Sequence, residues 1–132
     1  IKKLNGGMLF IDYGFLKQKN KNTLQSVKNH KQNMIFSNLG NADITSLVDF
    51  NLLKYYLKKK KLIVNNIVSQ KFFLEKMGII SRAERMSKKM SFREKSDLYL
   101  RLQRLIGSSQ MGELFKVISA FKMNKKFSLG FI

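Results

Sequence analysis

Residues 6–14 read Gly-Gly-Met-Leu-Phe-Ile-Asp-Tyr-Gly, a nearly all-apolar run that stops at Asp12. Met8 to Tyr13 is too short for a core helix and does not alternate. Its pattern is that of a strand buried on both faces of a parallel sheet. The rest of the chain must therefore supply neighbouring strands and helical cover. The sequence starts at Ile1 and reaches this strand almost at once, which reads as a segment of a longer protein.

Further elements follow in turn. Residues 15–22 are polar and irregular, a surface loop, and Thr23 to Val27 alternates weakly, as a short strand. Residues 29–48 show no clean period, and long structureless stretches in compact domains are commonly functional. Asp49 is placed to cap a helix whose apolar positions are Phe50, Leu53 and Leu57, with Leu52 and Tyr56 beside them. Leu62 to Val68 is a β-branched run and reads as one strand. Ser69 then caps a short helix over Gln70–Met77, closed by Gly78. Ser81-Arg82-Ala83-Glu84 and Ser91-Phe92-Arg93-Glu94 both have the spacing of a capping box. The second opens a longer helix with Leu98, Leu102, Leu105 and Ile106 on one face, ended by Gly107. Leu114 to Phe121 reads as a buried strand and Phe127 to Ile132 as a last edge strand. Strands alternating with helices predict an α/β sheet, with the helices of 70–106 inserted between the later strands.

Composition narrows the function. The chain has 132 residues and no cysteine, so disulfides, thiolate metal ligands and a cysteine nucleophile are excluded within it. A single histidine makes no zinc site by itself, and no metal is expected. No apolar run approaches the roughly 18 residues of a membrane span. The net charge of +18 raises nucleic-acid binding. The charge is spread evenly, however, and it accompanies an excess of Lys, Asn, Ile and Phe over Ala and Pro. Those are the residues of A/T-rich codons, so the bias does not need a polyanionic partner. Lys58-Lys59-Lys60-Lys61 fits a solvated helix end, where cations complement the helix dipole.

Among polar residues, Asp12-Tyr13-Gly14 ends the first strand, and ligands of open α/β sheets bind beyond the carboxyl ends of strands. Asp and Gly are equally ordinary turn residues. Asp43, Thr45 and Asp49 place two carboxylates and a hydroxyl in or beside the segment without a period. The lone His30 has the chemistry of a general base, although a lone histidine is more often a surface or hydrogen-bonded residue, and Gln70 sits at a strand-to-helix turn, suited to a ligand or to a helix terminus. Gly6-Gly7 precedes a strand, the wrong side for a dinucleotide fingerprint or a phosphate loop.

Five motifs in order carry more. They are Gly6–Gly14, Thr23–His30, Gly40-Asn41-Ala42-Asp43-Ile44-Thr45 through Asp49-Phe50, Ser69-Gln70-Lys71-Phe72-Phe73-Leu74 with Met77-Gly78-Ile79, and Gln110–Val117. The series resembles the C-terminal part of the MidA-like family of S-adenosylmethionine-dependent methyltransferases, which includes the mitochondrial assembly factor for respiratory complex I. The resemblance implies the C-terminal half of a class I methyltransferase (Rossmann-like) catalytic domain, with residues 1–132 forming one partial domain. Met8–Tyr13 would be its fifth strand, and Leu62–Val68 and Leu114–Phe121 its last two.

The resemblance further implies S-adenosylmethionine as cofactor, held by residues N-terminal to this chain, and a protein arginine as acceptor. A respiratory complex I subunit is the implied partner, in the mitochondrial matrix or, for a bacterial protein, the cytoplasm. Asp43 and Asp12 are then the candidate catalytic carboxylates, holding the guanidinium and taking its proton. Tyr13, Gly14, Thr23, Gln25, His30, Thr45 and Asp49 are the candidate substrate-side residues. Leu47 stands where the family commonly has His. A basic nucleic-acid-binding domain, and a non-catalytic interaction module on the same fold, are the alternatives.

Overall fold

The computed structural model describes residues 6–17, 22–122 and 128–132. A five-stranded sheet forms its centre. Strand β1 (Gly7–Phe15) pairs in parallel with β5 (Val48–Asp49) on one side. On the other it pairs antiparallel with β8 (Phe115–Phe121) along its length, from Gly7 opposite Phe121 to Tyr13 opposite Phe115. Beyond β8 lie β6 (Ile63–Val64) and β7 (Val68–Ser69), both antiparallel to it.

Opposed residues of an antiparallel pair share a face, and each face here has its own cover. Met8 and Phe10, with Ala120 and Ile118 opposite, pack against Phe50 and Leu57 of helix α1 (Phe50–Lys59). Val117 on the other face packs against Phe73 of helix α2 (Gln70–Lys76) and Phe131 of the tail. The expected double burial of β1 is corrected: its burial alternates, and Leu9 and Ile11 are 49% and 44% exposed. Its long neighbour is also antiparallel and not parallel. Helix α2 and the tail cover the β8 side of that face and leave the β1 side open.

The run 62–68 is likewise two short strands and not one. Ile63 and Val64 oppose Phe121 and Ala120, whereas Val68 and Ser69 oppose Val117 and Lys116. Three residues, Asn65 to Ile67, therefore face two on β8, which is a bulge. Asn65 anchors it, donating to Ser119 through its backbone at 3.0 Å and through Nδ2 to the hydroxyl at 2.8 Å.

Helices α3 (Ile79–Ser87), α4 (Phe92–Ile106) and the single turn α5 (Met111–Leu114) follow α2. All four helices after α1 thus fall between β7 and β8, as the insertion reading expects. Ser91 and Glu94 form the expected capping box on α4. The box predicted at Ser81 is absent. Gly78, at φ 80°, ends α2 and directly caps α3, so Ser81 lies inside the helix. In the tail, residues 128–132 form a turn around Gly130 (φ 83°) and not an edge strand. The turn seats Phe131 on Phe73, with ring centres 5.3 Å apart. Phe127, the predicted start of that strand, and residues 18–21 of the predicted loop lie outside the described residues.

The segment 29–48 is not structureless. It holds β3 (Lys31–Asn33) and β4 (Asp43–Thr45), which flank β2 (Gln25–Lys28) in a separate antiparallel sheet of order β3-β2-β4, and it ends in β5. The pattern was hidden because these strands are short and polar on both faces.

Candidate functional site

The carboxyl end of β1 gathers several of the predicted residues. Asp12 stands opposite Lys116, half-buried, and its Oδ1 accepts the Tyr13 amide at 2.8 Å. The Tyr13 ring meets Phe115 edge-on at 5.6 Å. Gly14 lies opposite Val48 in the parallel pairing, and Phe15 opposite Asp49. A methyl carbon on Gly14 would fall 2.3 Å from the Val48 carbonyl oxygen and 2.7 Å from the Phe50 ring. Glycine is thus required by the close approach of the two strands. Asp49 caps α1, its Oδ1 accepting from the Asn51 and Leu52 amides at 3.0 Å each. One oxygen of this substrate-side candidate is therefore committed to the helix.

The remaining predicted residues belong to the three-stranded sheet. Gln25 Nε2 donates to the Thr45 hydroxyl at 3.1 Å, and Thr23 Oγ1 accepts the Leu47 amide at 3.3 Å. Asp43 is exposed opposite Val27. His30 forms, with Asn29, the two-residue turn of the β2–β3 hairpin at φ 61° and 50°. It sits at the exposed tip, at the far end of β2 from the Gln25–Thr45 pair. Asp12 and Asp43 lie in different sheets. Gln70 is buried, and its Nε2 donates to the Leu105 carbonyl at 2.9 Å, tying α2 to the end of α4. This is the helix-terminus role and not a ligand-binding one.

An open hollow of about 550 Å³ is lined by Leu16, Phe72, Ser69, Glu113 and Lys116 among others. Ser69 Oγ donates to Glu113 Oε1 at 3.3 Å, and Lys116 Nζ donates to the Glu113 carbonyl oxygen. In the sequence Ser69 reads only as a cap, which it is, accepting from the Phe72 amide. Nothing in the local sequence marks Glu113 or Lys116 as functional. The β1–β8 register brings Lys116 opposite Asp12, more than a hundred residues away along the chain, and no local pattern reports that pairing. Among the described residues no three His or acidic side chains converge on a metal-sized site.

A family model described as "Putative S-adenosyl-L-methionine-dependent methyltransferase" matches residues 1–68, just over half of the chain. This chain belongs to that methyltransferase family. It is 30% identical over 129 residues to "Protein arginine methyltransferase NDUFAF7 homolog, mitochondrial" of Caenorhabditis elegans, covering 98% of this chain and 30% of the relative. It is 29% identical over 131 residues to the Xenopus tropicalis protein arginine methyltransferase NDUFAF7, covering 95% of this chain and 29% of the relative. The chain thus spans about 30% of the length of the curated relatives it matches.

Two crystal structures from Burkholderia thailandensis, both of COG1565 superfamily proteins, share the fold. One matches with a TM-score of 0.86 at 27% identity, over 96% of this chain and 36% of its own. The other, bound to S-adenosyl-homocysteine, matches with a TM-score of 0.78 at 26% identity, over 96% of this chain and 33% of its own. The sheet order and the helical insertion are therefore those of a class I methyltransferase-like fold.

The family's cofactor is S-adenosylmethionine. The strand-to-helix junctions described here, Asp49 to Phe50 and Ser69 to Gln70, contain no glycine. They offer no cradle for the nucleoside or methionine ends, which close backbone approach demands. By themselves these two junctions do not fit the cofactor.

Proposed function

We propose that the protein carrying this chain methylates an arginine of a protein substrate, with S-adenosylmethionine as methyl donor. In this reading residues 1–132 are the C-terminal half of its catalytic domain. The observation that carries it is the 30% identity, over 98% of the chain, to a protein named as an arginine methyltransferase. The mitochondrial names of the relatives support a mitochondrial location; the matrix, and a respiratory complex I subunit as acceptor, are part of the same proposal. For a bacterial protein the cytoplasm takes its place. No helix among the described residues is long and apolar enough to cross a membrane.

An arginine acceptor must be oriented and must shed a proton as its nitrogen is alkylated. Carboxylates do both, holding the guanidinium through paired hydrogen bonds and accepting the proton. Asp12, at the end of β1, and Asp43, on β4, are the assigned carboxylates. Tyr13, Gly14, Thr23, Gln25, His30, Thr45 and Asp49 are the residues assigned to the substrate side, divided between the end of β1 and β5 and the three-stranded sheet. In this reading the donor binds residues N-terminal to this segment, and the methyl transfer belongs to the complete protein.

The test is methyl transfer by the complete protein to an arginine-containing peptide of the candidate subunit. Asp43→Ala is expected to lower turnover by about a hundredfold or more while leaving donor affinity within about twofold. Unchanged turnover removes Asp43 from the mechanism. Transfer to lysine in place of arginine overturns the substrate.

A further inference from the structure

The α3–α4 pair carries a feature that the methyltransferase reading does not use. Between the two helices runs an apolar groove of about 170 Å³, floored by Ile79, Ala83 and Met86 of α3 and by Leu98, Leu102 and Leu105 of α4. These are i, i+4, i+7 spacings, the stripe a helix normally buries. Yet not one residue of the fifteen in α4 is buried, and Met86 and Leu105 remain 47% and 36% exposed. A helix of that length is marginal in water without packing on its apolar face, so the stripe calls for cover.

Charge states what covers it. The chain has five arginines, Arg82, Arg85, Arg93, Arg101 and Arg104, and all lie in these two helices; the 21 lysines are spread over the rest of the sequence and these helices alike. A composition biased towards lysine does not explain that placement. Arg82 and Arg101 line the groove, and Arg85 and Arg104 follow each by three residues on the same helices. Residues 79–106 hold eight basic side chains against three acidic ones. Of the acids, Glu94 is engaged in the capping box and Asp97 pairs with Arg101 at 2.7 Å. Arginine is the residue whose planar fork grips carboxylates two bonds at a time.

We propose that this groove docks an acidic amphipathic helix of a partner protein, its apolar stripe on the groove floor and its Asp or Glu side chains on the flanking arginines. A second copy of this chain is a poor occupant, since each copy carries +18. A concave slot with an apolar floor suits a helix, whereas a membrane surface or a nucleic-acid backbone would select a flat or convex basic face. The assignment stands whether or not arginine is the acceptor of the methyl group.

The test titrates the complete protein with a fluorescein-labelled peptide of about 18 residues, Leu at i, i+3 and i+4 positions and Glu elsewhere. Binding is expected, weakening as salt is raised. Arg82→Glu with Arg101→Glu should cost at least about tenfold in affinity, and the double lysine variant should cost less because the charge remains. Met86→Glu, which leaves every arginine in place, should also weaken binding, with helix content checked by circular dichroism. Unchanged affinity in both variants overturns the proposal. So does failure of the peptide to bind while phosphatidylserine vesicles or duplex RNA bind through the same arginines.

Discussion

Gly14 offers the sharpest test of how β1, β5 and α1 meet. Gly14→Ala puts a methyl carbon 2.3 Å from a backbone oxygen and 2.7 Å from a ring that is itself fully buried. The Phe50 ring is walled in by Leu57, Ile118 and Ala120 and has nowhere to turn. The Val48 carbonyl belongs to the paired strand and retreats only if the β1–β5 pairing opens. Overpacking typically costs about 1–3 kcal/mol, and a backbone obstacle puts this site at the upper end, about 3 kcal/mol. With a urea slope of about 2 kcal/mol/M, the unfolding midpoint should fall by about 1.5 M.

A second substitution separates the two obstacles. Phe50→Leu frees the ring side and leaves the carbonyl where it is. The double variant should then lie closer to Gly14→Ala than additivity predicts, by about 1 kcal/mol. The assay is urea unfolding of the complete protein followed by far-ultraviolet circular dichroism. A Gly14→Ala midpoint matching the parent to within about 0.5 kcal/mol would refute the close approach. Gly14 would then be free for a purely chemical role in the Asp-Tyr-Gly motif.

Other expectations concern the local supports of the site. Asp49→Ala should cost about 1 kcal/mol by stripping the cap from two amides of α1, with Asp49→Ser restoring most of it, read from the same unfolding curves. Asn65→Ala should cost about 1–3 kcal/mol, because the buried Ser119 hydroxyl loses its donor at the bulge; Ile63→Ala, half-exposed nearby, should cost less. Glu94 is held below the usual glutamate range by the Ser91 hydroxyl first and the Ser91 amide second. Its folded value being depressed, its capping of α4 is complete above the ordinary glutamate value and fades as pH falls through the lower one. Hydrogen-exchange protection at residues 91–95, corrected for the intrinsic pH dependence of amide exchange, should therefore fall at acid pH in the parent, and Glu94→Gln should flatten that dependence.

Much of this arrangement is legible in the sequence where side chains act locally. Asp49, Ser69 and Ser91 announce their helices through capping chemistry, and the periodicities of Phe50 to Leu57 and of Leu98 to Ile106 place the helical faces. Legibility fails where pairing decides. The hairpin at Asn29-His30 rests on two non-glycine residues in the left-handed region, so the sequence carries no glycine signal for the turn that His30 occupies. The 62–68 run looks continuous because a bulge is a property of two strands, not one. Ser81 had cap spacing, but a left-handed glycine three residues earlier had already started the helix. The Asp12–Lys116 juxtaposition needed the register of strands from opposite ends of the chain.

That register has a further consequence, for synthesis. The strand at the middle of the large sheet, β8, is made after all the described strands that pair with it, β1, β6 and β7. Neither face of the core can close while the ribosome is still translating residues 115–121. Until then Met8, Phe10, Phe50 and Leu57 must wait in a nascent chain with no central strand to pack on. Such distant pairing slows folding and leaves β1 with an unsatisfied edge in the interval. A polypeptide built this way depends on chaperone cover during its own production more than a helical bundle of equal length would.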